Sequence, residues 1–197
     1  MYRPGRRASA AVLLLASTLL LCGAGYAANE AEVQTARWVP KELHFTYTGF
    51  TTHFSCEGLE ARVKDILLQL GARSDLTVHQ FGCTQAAGVP SPFPSVEAKF
   101  SVLEPVPADG ASGKDESATV SAQWQTVQLK LEPSPVSESG LCEFIDQVKV
   151  RILPLFATRN VDYMQHCVPH QLSARGSTIR LDVMKVPPRQ AENAPAR

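Results

Sequence analysis

The sequence predicts an α+β fold: two tandem β-α-β-β repeats forming one sheet of about six strands, with two helices on one face and disulfide staples. Three observations predict it. The segments Cys56–Cys83 and Cys142–Cys167 share a pattern, both opening Cys-Glu and continuing with a helical apolar stripe, an Ala-(Thr)-Arg turn and a short alternating strand that ends in Cys. Alternating apolar stretches flank both segments. An export signal at the start leaves an even number of cysteines behind it.

The signal comes first in the chain. Arg3, Arg6 and Arg7 are followed by an apolar run from Ala10 to Leu21, then by Gly23-Ala24-Gly25-Tyr26-Ala27. Gly25 and Ala27 suit the small pockets of a signal peptidase, so residues 1–27 are expected to be a signal peptide, cleaved after Ala27. Three rival readings fit less well. The apolar heart is about 12 residues, short for a retained membrane anchor. Leu21 stands where a lipoprotein signal has a small residue before its cysteine, here Cys22. Ala8-Ser9-Ala10 follow Arg6-Arg7 where twin-arginine export expects apolar residues.

Cleavage leaves residues 28–197, the size of one domain. The full chain holds 19 Lys and Arg against 19 Asp and Glu. Removing three arginines tips the mature chain to about −3, with no basic cluster. Nucleic acid and anionic membrane surfaces are therefore not expected as partners, since both need concentrated positive charge.

The first repeat is expected over about 41–104. Leu43, Phe45 and Tyr47 alternate with His44, Thr46 and Thr48 as a half-buried strand. Leu59, Val63, Ile66, Leu67 and Leu70 lie on one face of a helix that Gly71 stops. Leu76–Phe81 and Val96–Val102 are the next strands, with a Pro-rich loop between them. Residues 105–116 serve as a linker. The second repeat, about 117–185, opens with Val120, Ala122 and Trp124, then Val127, Leu129 and Leu131. The apolar phase slips between Trp124 and Val127, which implies a bulge there. Its helix carries Leu141, Ile145, Val148, Ile152 and Leu155, and Pro154 should kink or end it. Val161–Cys167 and Ile179–Val183 are the last strands. Residues 186–197 read as a disordered tail, and 28–185 as a single domain. A strand-helix-strand-strand order resembles ferredoxin-like folds in element order alone.

In each repeat the first cysteine heads a helix and the second ends the next strand. A helix of about 15 residues rises roughly 22 Å, and a strand of about eight residues spans roughly 26 Å. The two sulfurs thus meet at one edge of the layer, predicting Cys56–Cys83 and Cys142–Cys167 bonds. Alternation places Cys83 on the His79 and Phe81 side of its strand, so a bulge at Gly82 is needed to turn it back.

No Gly-x-Ser-x-Gly, His-Glu-x-x-His or phosphate loop is present. A thiol nucleophile at Cys56 or Cys142 would compete with its own disulfide partner. Met164, His166, Cys167 and His170 form Met-x-His-Cys-x-x-His, a donor set suited to copper or zinc, to which His79 is a further candidate. A cystine at Cys167 removes its thiolate from that set. The remaining feature is a polar sheet face: His44, Thr46 and Thr48; Thr77, His79 and Phe81; Glu97, Lys99 and Ser101. Gln123, Gln125, Asp162, Met164, His166, Arg180 and Asp182 are expected on the same face. The expectation is a periplasmic or secreted protein, more a non-catalytic binding domain than an enzyme. Its partner is an envelope or extracellular protein or a small ligand, with no cofactor. The alternative is a periplasmic metal-binding protein using His166, His170 and Met164.

Overall fold

The computed structural model describes residues 33–50, 53–83, 91–107, 119–129, 141–164 and 177–187, the side chains of 141 and 142 excepted. The signal segment, Cys167, His166 and His170 lie outside these residues. The elements are β1 (Val33–Thr46), α1 (Cys56–Gln69), β2 (Thr77–Gln80), β3 (Ser95–Pro105), β4 (Thr119–Gln128), α2 (Leu141–Arg151), β5 (Thr158–Met164) and β6 (Thr178–Lys185). They build an α+β fold with one six-stranded sheet, in which every neighbouring pair is antiparallel and the order is β2-β3-β1-β4-β6-β5.

That order has a simple consequence. Numbering strands within each half, the sheet reads 2-3-1 from one edge and 2-3-1 from the other. The two first strands meet at the centre, where only Val33–Arg37 pairs with Thr119–Gln123. Thr35 lies opposite Ser121. These two residues are 86 apart, the same offset that separates Cys56 from Cys142.

β1 begins ten residues before the strand expected from Leu43. Arg37 and Pro40 blur its apolar alternation. Proline is tolerated at position 40 because the Tyr47 N–H donates to Pro94 O at 3.0 Å, which fixes the odd residues of β1 as the ones bonded to β3. The nitrogen of Pro40 therefore points toward β4, whose pairing has already ended at Arg37, and no ladder bond is lost.

One core holds both helices to the sheet. Leu43 and Phe45 of β1, Tyr47 just past its end, Val96, Ala98, Phe100 and Val102 of β3 and Ile179, Leu181 and Val183 of β6 share one buried cluster with the α1 stripe Leu59, Val63, Ile66 and Leu67. Phe144, Ile145, Val148 and Ile152 join from the α2 side. The halves interlock rather than fold separately. Phe144 packs edge-on against Phe45 at 5.9 Å, and Phe156 stacks on Phe100 at 5.7 Å. Gln147 exchanges two hydrogen bonds with the Thr48 backbone, and Arg151 Nη2 donates to His44 O at 3.1 Å. In return, the end of α1 abuts β6: Gly71 takes φ +92°, and a Cβ there would meet Met184 O at 2.9 Å.

α2 ends at Arg151, and Pro154 sits in the 3-10 turn Leu153–Leu155 that follows. Two expectations need correction. The β4–β6 register is unbroken from Gln123 to Gln128, so β4 holds no bulge there. The phase slips because the strand is apolar on both faces in turn: Val120 and Trp124 pack with Ala122 behind the sheet, while Val127 and Leu129 pack into the helix-side core. The irregularity falls instead in β5 between Arg159 and Asp162, where Asn160 adopts φ 52°. The expected linker start and tail also contribute to the domain. Pro105 pairs with Ala36, Val106 N–H donates to Thr35 O at 3.0 Å, and Val186 packs behind the sheet.

Cys56 and Cys83 form a disulfide with Cα atoms 6.2 Å apart, inside the usual range for such a bond. Ser55 caps α1 by accepting from the Gly58 N–H at 3.0 Å, which sets Cys56 in the first turn. β2 has already ended at Gln80, and Gly82 at φ +60° supplies the turn that a bulge was expected to make. Cys142 lies in the first turn of α2; its side chain and Cys167 are outside the described residues.

Candidate functional site

The face of the sheet away from the helices is built by cross-strand rows. In the first half, His44 faces Glu97, which faces His79; Glu42 faces Lys99, which faces Thr77; Trp38 faces Leu103. The His44 ring meets Phe81 edge-on at 6.1 Å. The expected polar face is therefore correct for His44, His79, Glu97, Lys99 and Thr77. It is wrong for Gln123 and Gln125. Gln125 pairs with Val183, a helix-side residue, so with β4 unbulged both glutamines point to the helix side. Thr126 and Gln128 take their place, paired with Asp182 and Arg180.

The centre of this face is apolar. Ala36, Leu103, Ala122 and Met184 form a second buried cluster, flanked by half-buried Trp38 and Trp124. Each tryptophan carries an arginine over its ring: Arg73 at 5.6 Å from the Trp38 ring and Arg159 at 4.5 Å from the Trp124 ring. Both tryptophans and both arginines are again 86 residues apart. Arg73 comes from the turn between α1 and β2, Arg159 from the start of β5, and each is held by a carboxylate. Arg73 Nε and Nη2 both reach Asp75 at 2.8 Å. Arg159 Nε lies 3.4 Å from Asp182, which also accepts from Thr126 Oγ1 at 2.6 Å and Asn160 Nδ2 at 2.7 Å. The Thr126 and Asn160 donors, then Arg159, hold the Asp182 carboxyl below the ordinary carboxylate range. The Arg73 hydrogen bond does the same for Asp75.

Beside the Trp38–Arg73 pair lies a shallow cleft of about 290 Å³ lined by Glu42, Arg73, Asp75, Thr77, Lys99 and Ser101. Lys99 Nζ stands 3.8 Å from Glu42, a loose pair that leaves both groups well exposed. The charges nearly cancel, so the cleft is suited to hydrogen bonding with a polar ligand rather than to attracting an ion.

Two further polar clusters sit on the helix side. Tyr163 hydroxyl donates to Asp146, Lys149 Nζ lies 4.1 Å from the Tyr163 ring centre, and burial with the Asp146 contact pushes the Tyr163 phenol up to about 12. At the other end, the buried Glu143 carboxylate accepts from Phe50 N–H at 2.7 Å and lies beside the Tyr47 hydroxyl. Burial first, and then that carboxylate, raise the Tyr47 phenol above its ordinary range. Both clusters tie α2 to neighbouring strands. Burial also lowers the Lys185 ammonium below the usual lysine range.

His79 and Met164 lie on β2 and β5, opposite edges of the sheet with four strands between them. The structure does not bring these two candidate ligands together. Among the described residues no group of three or more His, Cys, Asp or Glu side chains is arranged to hold a metal ion.

No family model, no curated protein and no solved structure matches this chain. The reading of its site rests on its own geometry. The tryptophan–arginine pairs are absent from the sequence-based expectation, because each joins residues of separate elements and no local periodicity links an arginine to a tryptophan 35 positions earlier. The signal was nonetheless present, in the recurrence of the cysteine offset at Trp38/Trp124 and Arg73/Arg159.

Proposed function

We propose that this chain is an exported binding domain, built by tandem duplication of a β-α-β-β unit, that presents the strand face opposite its helices to a near-neutral polar ligand or protein surface. The observation that carries the reading is the cleft beside Trp38 and Arg73. Its hydroxyls and charges project from three adjacent strands, and the Trp38–Arg73–Asp75 stack fixes its wall. Rigid strands position such groups better than loops do. Export is supported by the signal-like first 27 residues and by the Cys56–Cys83 disulfide, which suits an oxidising compartment. Duplication is supported by the mirrored strand order, the Thr35–Ser121 opposition and the shared 86-residue offset of cysteine, tryptophan and arginine. On this reading Cys142 bonds Cys167 as Cys56 bonds Cys83.

The test immobilises the protein and passes an envelope extract over it, alongside a Thr77→Arg/Lys99→Glu variant and a Lys64→Glu variant on the exposed side of α1. Retention of a component that the sheet-face variant loses and the α1 variant keeps is the expected result. Retention indifferent to the sheet-face changes would remove the reading.

A further inference from the structure

The two edges of the sheet are treated differently. β5, at one edge, is bulged between Arg159 and Asp162, turns through a left-handed Asn160 and carries charges, with Arg159 and Asn160 held inward on Asp182. These are devices that block strand addition. β2, at the other edge, is blunted only by its length of four residues. Its residues Thr77, Val78, His79 and Gln80 include no charge beyond the histidine, no proline and no register shift against β3.

The direction of its free groups follows from the ladder. Phe81 N–H donates to Ser95 O at 2.9 Å. Residues 77, 79 and 81 are therefore bonded to β3, and the backbone groups of Val78 and Gln80 point out of the sheet. Among the described residues they meet no partner. Beside them stand two exposed aromatic side chains, Phe81 at 57% and Phe93 at 60% exposure.

We propose that β2 docks against β2 of a second copy of this chain, antiparallel, about a two-fold axis through His79. In that register Val78 and Gln80 of one copy exchange N–H···O bonds with Gln80 and Val78 of the other, and Phe81 lies across from Thr77. A second copy is the occupant the edge fits because self-pairing asks that a strand tolerate itself, and an edge without fixed charge does so without like-charge repulsion. The chain already joins strands this way internally, where Thr35 opposes Ser121. The contact is short, so the dimer is weak and forms with rising concentration.

Sedimentation velocity across a roughly 100-fold concentration range tests this. The wild-type protein is expected to shift from monomer to dimer. Gln80→Pro removes an outward N–H without touching the β3 ladder, and Gln80→Lys places a charge on the edge. Both are expected to remain monomeric with an unchanged melting temperature, and Gln80→Lys serves alone if the proline variant misfolds. A wild type that stays monomeric throughout, or a dimer that survives Gln80→Lys, overturns the proposal.

Discussion

Replacing Gly71 with alanine probes the interlock between the halves. Gly71 and Gly82 both have positive φ, at +92° and +60°, but their surroundings differ. A Cβ at position 71 would lie 2.9 Å from Met184 O, a backbone atom fixed in β6, whereas a Cβ at position 82 meets nothing within 4 Å. Left-handed backbone costs alanine roughly 1–2 kcal/mol, and the smaller entropy of the unfolded alanine chain returns about 0.4–1 kcal/mol. Gly82→Ala should therefore lose about 0–1.6 kcal/mol. Gly71→Ala adds an overlap with backbone that cannot swing aside, worth about 1–3 kcal/mol more. For a domain of this size each kcal/mol lowers the melting temperature by about 2–4 °C. Thermal and urea unfolding, followed by circular dichroism under non-reducing conditions, read the difference. A Gly71→Ala protein no less stable than Gly82→Ala would show that α1 does not end against β6, and the reciprocal packing described above would fail.

Three other outcomes follow from the same geometry. Replacing Cys56 and Cys83 together by serine opens a loop whose closure is worth about 3.5 kcal/mol on the chain-entropy model, so the variant should melt well below the oxidised wild type. A melting temperature equal to the oxidised wild type would contradict the bond. Asp182→Asn weakens the cluster that positions Arg159 and should cost about 1 kcal/mol near neutrality. Because the folded carboxyl titrates below its unfolded value, that stability is present above about pH 4 and is lost as pH falls through the folded value. The gap between wild type and variant should therefore close in acid, and a constant gap would refute the assignment. Trp38→Ala and Trp124→Ala should each lose about 2–4 kcal/mol, because each removes a half-buried ring and an arginine's platform. Denaturant unfolding that finds one of them neutral would break the equivalence of the two pairs.

How much of this was legible in the sequence varies by element. α1 was readable because its stripe Leu59, Val63, Ile66, Leu67 is regular and Gly71 marks its end, while the Ser55 cap at its start is a finding of the structure. The Cys56–Cys83 bond was readable from chain lengths, though the turn at Gly82 proved to be a left-handed glycine past the strand end. The first ten residues of β1 were not readable, since strand character there comes from pairing with β3 and β4 and not from alternation. The slip in β4 was visible but its cause was not. Apolar side chains that change faces in a straight strand and those on one face of a bulged strand leave the same trace. That ambiguity misplaced Gln123 and Gln125 and hid Trp124 from the candidate site. His44 and His79 were placed on the correct face because β1 and β2 alternate cleanly where those residues sit. The role of the arginines escaped because Arg73 acts from a turn and Arg159 from the irregular start of β5, where the sequence carries no periodicity to follow.

The proposed duplication implies two equivalent halves, each closed by its own sulfur bridge. Proteolytic mapping of the unreduced protein by mass spectrometry reads this directly. It should recover one disulfide-linked peptide pair containing Cys56 and Cys83 and a second containing Cys142 and Cys167, with no free thiol among the four. A bridge between the halves, or free thiols at Cys142 and Cys167, would contradict it.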